Sequence, residues 1–358
     1  MDPLTFTYKQ VDNVDLAFDL YHPPNPTTRP LPIVINFHGG GLTVGNTKSW
    51  FPAWLKDRVI SAGFIFLSAN YRLIPPSTGH DIVEDIRDLF RFVAEDLTSQ
   101  LRDSNHPVQI DVNAIAVSGC SAGGLCAYLS VMHVHPRPKA VVALYAMGGN
   151  LLTPQYIRPK TEIFLRGREI LDPTTYSDFL YPQSLKLLPT ADSALAYHGT
   201  NAPIPGFPAN PRMLLNRLYL QLGTYLDYYT GAHETSLSAK LLEAAEGGSD
   251  NSDSNYSIDN LKPLIPSSHL PLFPQFAVDS SWPPTFLVHG SADTAVKLDE
   301  SIHMHRLLTD ADVTTVLKVV EGAEHSLDYV SDANEKYGKA GGLFDEIGMF
   351  LVDRLRQA

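Results

Sequence analysis

Residues 114–134 limit what this chain can fold into more than any other stretch. Ala114-Ile115-Ala116-Val117 has β character, Gly119-Cys120-Ser121-Ala122-Gly123-Gly124 follows, and a helical pattern runs from Leu125 to Val134. Strand, sharp turn and helix in immediate succession hold the central residue in a conformation that only small neighbours permit, and they push its side chain clear of the sheet edge. Ser121 is that residue. The five-residue pattern Gly-x-Ser-x-Gly also arises in ordinary glycine-rich turns, so its meaning depends on what surrounds it.

The surroundings read as alternating strands and helices. Residues 4–21 alternate polar and apolar around Val11-Asp12-Asn13-Val14, as a hairpin of two edge strands does, and Pro23-Pro24-Asn25-Pro26 breaks the pattern. Short apolar runs at 32–37, 64–69 and 140–145 read as strands buried on both faces. Residues 80–98 carry Ile82, Ile86, Leu89, Val93 and Leu97 at helical spacing, with Asp81, Glu84, Asp85 and Asp88 weighting the first turns. Those carboxylates read as solvated partners of the helix dipole rather than as a metal site. The alternation implies an α/β fold: a mostly parallel central sheet with helices on both faces.

After residue 147 the rhythm stops. Residues 148–282 are rich in Pro and Tyr, and Leu214, Leu215, Leu218, Tyr219, Leu222, Tyr225, Leu226 and Tyr229 share one helical period. This segment reads as a helical cap inserted between a first core part, 1–147, and a second, 283–358. Within it, residues 246–255 have the composition of a flexible loop, and protease cleavage is expected between Gly247 and Tyr256. Strand character returns at 285–289 and 314–320. Between these strands a helix is expected to bury Leu298, Ile302, His305 and Leu307 or Leu308, and a final helix is expected from Glu335 to Arg356. No internal repeat is visible.

Three further features fall at expected carboxyl ends of strands. His38-Gly39-Gly40-Gly41 follows the strand at 32–37, Asp293 follows the strand at 285–289, and His325 follows the strand at 314–320. Taken singly, the glycine run reads as a flexible turn, Asp293 as a turn residue and His325 as a surface histidine. Together with Ser121 they supply what acyl transfer needs: a nucleophile, a base, an acid that holds the base's tautomer, and backbone donors. The chain order Ser121, Asp293, His325 is one known order of such a set. Other histidines compete less well. His289 is expected to pack beneath the Asp293 loop, His303 and His305 point to different helix faces, and His133 and His135 cannot both face one ligand on a persisting helix.

Composition narrows the partners. A formal net charge of -12 with no basic stripe argues against nucleic acid. No run reaches the length of a membrane span, and the first residues lack the basic and apolar regions of a secretory signal. Cys120 and Cys126 face different ways across the turn and its helix, so no disulfide and a cytoplasmic setting are expected. No zinc signature is present in the sequence, and neither metal nor other cofactor is implied.

His38-Gly39-Gly40-Gly41, the Gly119–Gly124 turn, Asn70-Tyr71-Arg72-Leu73 with Asp85 downstream, and the Asp293 and His325 loops together resemble the hormone-sensitive-lipase-like branch of the α/β-hydrolases. The likeness covers about residues 30–150 and 283–358. It implies an α/β-hydrolase fold and a carboxylic-ester hydrolase without cofactor. Gly40, Gly41 and Ala122 would donate backbone N–H groups to the oxyanion, His38 would brace the glycine loop, and a cap would shape the pocket. The chain departs from the branch in having Cys120 where Asp usually precedes the nucleophile, and Thr294-Ala295-Val296 after Asp293. The expected function is a serine carboxylesterase acting on a small-molecule ester or lactone, with secondary metabolites as a candidate class. A lyase, cyclase or acyltransferase using the same site, and a ligand-binding module on the same scaffold, are the alternatives.

Overall fold

The computed structural model of the chain describes residues 2–24, 29–106, 108–201, 204–247 and 256–356. Residues 248–255, most of the stretch expected to be a flexible loop, lie outside them. Eight strands form one sheet: β1 (Leu4–Val11), β2 (Val14–Tyr21), β3 (Leu31–Phe37), β4 (Ile65–Ala69), β5 (Ile110–Cys120), β6 (Ala140–Leu144), β7 (Thr285–Gly290) and β8 (Thr315–Val320). The spatial order is β1-β2-β4-β3-β5-β6-β7-β8. Only β2 runs against its neighbours; the pairs from β4 to β8 are all parallel.

This order has a functional consequence. The connection leaving β3 leads to β4 on one side, whereas β5 lies on its other side, so the strand order reverses between β3 and β5. At such a switch point, the loops at the carboxyl ends diverge and leave a crevice. The His38–Gly41 loop and Ser121 leave these two adjacent strands.

Alternation along the strands sorts side chains to two faces. On one face Val34, Phe66, Ala116 and Val142 pack against α1 (Ala53–Ser61) and the last helix of the chain, through Leu55, Phe344, Ile347 and Leu351. On the other, Ile33, Ile35, Leu67 and Val117 pack against α2 (Gly79–Glu95) and α4 (Ala122–His133), which follows the short α3 (Leu97–Asp103). Between β6 and β7 the chain forms α5 (Pro154–Ile157), α6 (Arg212–Leu222), α7 (Tyr225–Thr230), α8 (Leu237–Glu246) and α9 (Ile258–Leu261), with short 3-10 segments between α5 and α6 and after α9. α10 (Leu298–Asp310) lies between β7 and β8, and α11 (Ala333–Tyr337) and α12 (Leu343–Arg356) close the chain.

Several elements differ from expectation. The single period over residues 214–229 is split: Gly223, at φ +66°, takes the left-handed conformation that ends α6, and α7 starts afresh two residues later. The helix expected over 335–356 is two helices, with Gly338, Gly341 and Gly342 in the gap between them. The helix expected over 80–98 ends at Glu95. α10 buries Glu300, Ser301, Met304 and Leu308, while Ile302 is 44% exposed. Its inward polar edge is drawn in by hydrogen bonds, from Ser301 to His289 and from the Gly148 N–H to Glu300. The acidic turns of α2 are not uniformly solvated either. Asp85 is fully buried and receives Arg72 Nε at 2.9 Å and Lys9 Nζ at 2.9 Å.

Candidate active site

The Ser121 turn has the strain that the sequence pattern implies. Ser121 sits at φ 53°, ψ -122°, between the end of β5 and the start of α4. This is a sparsely populated region for a non-glycine residue, and it persists only when the surroundings hold it. Its N–H donates to Leu144 O at 2.9 Å, and its carbonyl accepts from Gly124 N and Met147 N, each at 3.0 Å. A Cβ at Gly123 would lie 2.0 Å from Phe37 O, so the turn closes against β3 only with glycine there.

Ser121, Asp293 and His325 come together. Ser121 Oγ lies 3.1 Å from His325 Nε2, and His325 Nδ1 lies 2.7 Å from Asp293 Oδ2. A carboxylate only accepts, so Nδ1–H donates to Asp293 and leaves Nε2 as acceptor for the Ser121 hydroxyl. Asp293 Oδ1 accepts the N–H groups of Ala295 and Val296, each at 2.9 Å. Its Oδ2 also meets His289 Nε2 at 3.2 Å. Burial alone would raise the Asp293 pKa, but the hydrogen bonds from His289 and His325 outweigh it and hold the carboxyl well below its ordinary range. His289 is buried beneath the acid loop, with Nε2–H also directed at Val296 O, 2.9 Å away, and Nδ1 facing Ser301 Oγ at 2.7 Å.

The glycine loop adjoins this relay. Among the described residues, the backbone N–H groups of Gly40, Gly41 and Ala122 have no hydrogen-bond acceptor. Ala122 opens α4, where the first N–H groups lack intrahelical partners and the helix dipole favours negative charge. His38 donates from Nδ1 to Gly39 O at 2.8 Å and stacks on Tyr71 at 4.4 Å, and the Tyr71 hydroxyl donates to His38 O at 2.8 Å. Burial pushes the His38 pKa down to about 4, so it is neutral here. It therefore braces the loop without adding charge.

Other positioning groups carry no sequence signature. Arg212 of α6 donates to the carbonyls of Thr43, Ile74 and Pro75, fastening the chain after the glycine loop from 169 residues away. Asn216 packs so closely on Gly41 that a Cβ there would meet Asn216 Cβ at 2.3 Å. Glu324 accepts from Thr294 N at 2.5 Å and so ties the acid loop to the His325 loop. Tyr145 sets its ring edge on His325 with centroids 4.7 Å apart and donates to the buried Asp328 at 2.6 Å. No local spacing distinguishes these residues; only Glu324, adjacent to His325, lies where a search along the chain would look.

Cys120, before Ser121, is buried against Gly39, and burial pushes its thiol pKa up to about 12. The thiol is therefore inert at neutral pH. The relay opens into a cleft of about 1050 Å³, counting its mouth, walled by residues from both sheet loops and the segment between β6 and β7, among them Trp50, Leu165, Phe207 and Leu214. Among the described residues no group of acidic, histidine or cysteine side chains could hold a metal ion, and no helix is long and apolar enough to cross a membrane.

The BD-FAE family model matches residues 18–139, and the prolyl oligopeptidase family model matches residues 244–346. A probable carboxylesterase, M8, of Phoma sp. is 29% identical over 147 residues, 39% of this chain and 46% of that protein. The non-reducing polyketide synthase trt4 of Aspergillus terreus is 24% identical over 381 residues, 95% of this chain but 14% of the synthase. The match thus spans about half of the carboxylesterase and about a seventh of the synthase. Among solved structures, a thermophilic esterase, Est2, of Thermogutta terrifontis superposes with a TM-score of 0.52 at 17% identity, over 98% of this chain and 90% of the esterase. A protein of unknown function from Staphylococcus aureus gives a TM-score of 0.59 at 17% identity over 98% and 99% of the two chains. At that identity the likeness speaks to the fold. A sheet of this order, with these family models matching on both sides of its centre and esterases among its structural neighbours, gives the chain an α/β-hydrolase fold.

Proposed function

We propose that this protein is a serine carboxylesterase of the hormone-sensitive-lipase-like branch, acting on a small-molecule ester or lactone through an acyl-enzyme. The observation that carries the reading is the relay from Ser121 Oγ to His325 Nε2 at 3.1 Å and from His325 Nδ1 to Asp293 at 2.7 Å, beside three idle backbone N–H groups. Ser121 Oγ attacks the ester carbonyl carbon while His325 Nε2 takes its proton. Gly40, Gly41 and Ala122 N–H groups stabilise the tetrahedral oxyanion. The carbon–oxygen bond to the alcohol breaks and His325 returns the proton to the departing alkoxide. Water, deprotonated by His325, then attacks the acyl carbonyl; the acid leaves and Ser121 regains its proton.

Residues 148–282 act in this reading as a cap over the carboxyl ends of the strands, flanked by core parts 1–147 and 283–358; Leu165, Phe207 and Leu214 in the cleft wall support it. Two free, buried thiols fit a cytoplasmic setting. A second reading, acyl transfer or cyclisation of a metabolite, is favoured by a separate observation: two non-reducing polyketide synthases match 95% and 90% of the chain. Mass spectrometry of the products from a panel of short acyl esters and lactones separates the readings. Free acid and alcohol in equal amounts from an ester, or the hydroxy acid from a lactone, support hydrolysis. Rearranged or transferred product keeps the acyl-enzyme and removes hydrolysis, and absence of both turnover and burst removes the esterase reading.

A further inference from the structure

The cleft carries a charge that the proposed acyl chemistry does not require. Arg166, Arg168 and Arg217 line it, and among the described residues no aspartate or glutamate does, although the whole chain has a formal net charge of -12. Arg166 pairs with Glu324 at 3.0 Å, and Arg168 is exposed. Arg217 differs from both, being only 5% exposed. It follows Asn216, the residue that packs on Gly41.

The partners of Arg217 leave it incomplete. Its Nη2 lies 3.2 Å from Glu169, whose side chain is 60% exposed, and among the described residues its buried Nε–H has no acceptor. Arg212 on the same helix shows the contrast, since its guanidinium is held by three backbone carbonyls and serves the fold. A buried guanidinium with an idle donor is unfavourable unless a ligand completes it. The Nε–H and the adjacent Nη–H form a planar fork that matches the two oxygens of a carboxylate.

We propose that the substrate carries a carboxylate, separate from its ester group, that pairs with Arg217, while Arg166 and Arg168 draw the anion to the rim. The inference rests on the esterase reading and narrows it to esters of acidic compounds with an apolar body. An acidic protein whose reaction cleft, among the described residues, has arginine as its one kind of charged lining repels anions elsewhere and concentrates them there.

The test compares p-nitrophenyl hemiglutarate with its uncharged methyl-capped counterpart. The wild type is expected to favour the charged ester in kcat/KM by at least about tenfold, a preference that Arg217→Gln removes and added salt weakens. Arg217→Lys, which keeps the charge but loses the fork, restores only part. Glu169→Gln removes the competing carboxylate at an exposed position and increases the preference. Arg168→Gln, also exposed, raises KM for the charged ester alone, so the test does not depend on Arg217→Gln folding. Equal kcat/KM for both esters, or a preference that neither Arg217→Gln nor Glu169→Gln changes, overturns the proposal. Calorimetric titration of glutarate into Ser121→Ala separates it from the esterase reading. Arg217-dependent binding without ester turnover in the wild type keeps this inference and sinks the esterase; turnover with neither binding nor charge preference does the reverse. Tighter Arg217-dependent binding of phenyl phosphate than of benzoate overturns the assignment to a carboxylate.

Discussion

Replacing Asp293 with Asn tests the relay through a choice between two amide orientations. The carboxylate accepts two backbone N–H groups on Oδ1 and two histidine N–H groups on Oδ2. If the amide oxygen turns to the histidines, its NH2 group opposes the N–H groups of Ala295 and Val296. The buried Val296 donor then loses its acceptor, at about 1–3 kcal/mol, and the part-buried Ala295 donor loses the same partner. If the oxygen stays on the backbone donors, NH2 faces His325 and forces Nδ1 to accept, and His289 still keeps Val296 O. The second arrangement forgoes less and therefore prevails. It moves the His325 proton to Nε2, 3.1 Å from Ser121 Oγ, where a base is needed. The expected loss is on the order of 10⁴-fold in kcat, or about 5.4 kcal/mol of barrier. Steady-state hydrolysis of p-nitrophenyl butyrate reads it, with circular dichroism and thermal unfolding confirming an intact fold. A folded Asp293→Asn protein with kcat within about tenfold of wild type would refute the tautomer argument.

Two other perturbations probe the loop and the buried acid. Gly41 sits at φ +63° with Asn216 against it, so Gly41→Val should misplace a donor and lower kcat by about 10²-fold or more; a kcat within a few-fold of wild type would make Gly41 only a turn residue. Burial pushes the Glu300 pKa from its ordinary 4.5 up to about 8. The folded state thus holds a proton that the unfolded chain releases, so this contribution is full below pH 4.5 and is lost as pH rises towards 8, by at most about 1.4 kcal/mol per unit. Urea unfolding between those limits should show a shallower decline for Glu300→Gln than for wild type, and identical slopes would contradict the assignment.

What could be read in the sequence is what chemistry and sheet geometry impose locally. Ser121, Asp293 and His325 each follow an apolar β run, because a parallel sheet gathers such loops at one edge, and the structure brings their side chains within hydrogen-bond range. Arg212, Asn216 and Tyr145 could not be read, since their partners lie far along the chain and no spacing encodes the contact. The inward face of α10 escaped for another reason. Apolar periodicity ignores polar residues, and Glu300 and Ser301 enter the core through hydrogen bonds. The break after Leu222 did have a signal in Gly223, a residue suited to a left-handed helix end, which the apolar period across it outweighed.

Labelling with a fluorophosphonate, followed by intact-protein mass spectrometry and peptide mapping, reads whether Ser121 is the residue that forms the acyl-enzyme. Only an activated hydroxyl attacks such a phosphorus at neutral pH. One adduct is expected, on Ser121, with none on Ser121→Ala and slower labelling of Asp293→Asn. An adduct on another residue, or full ester hydrolysis by Ser121→Ala, would contradict it.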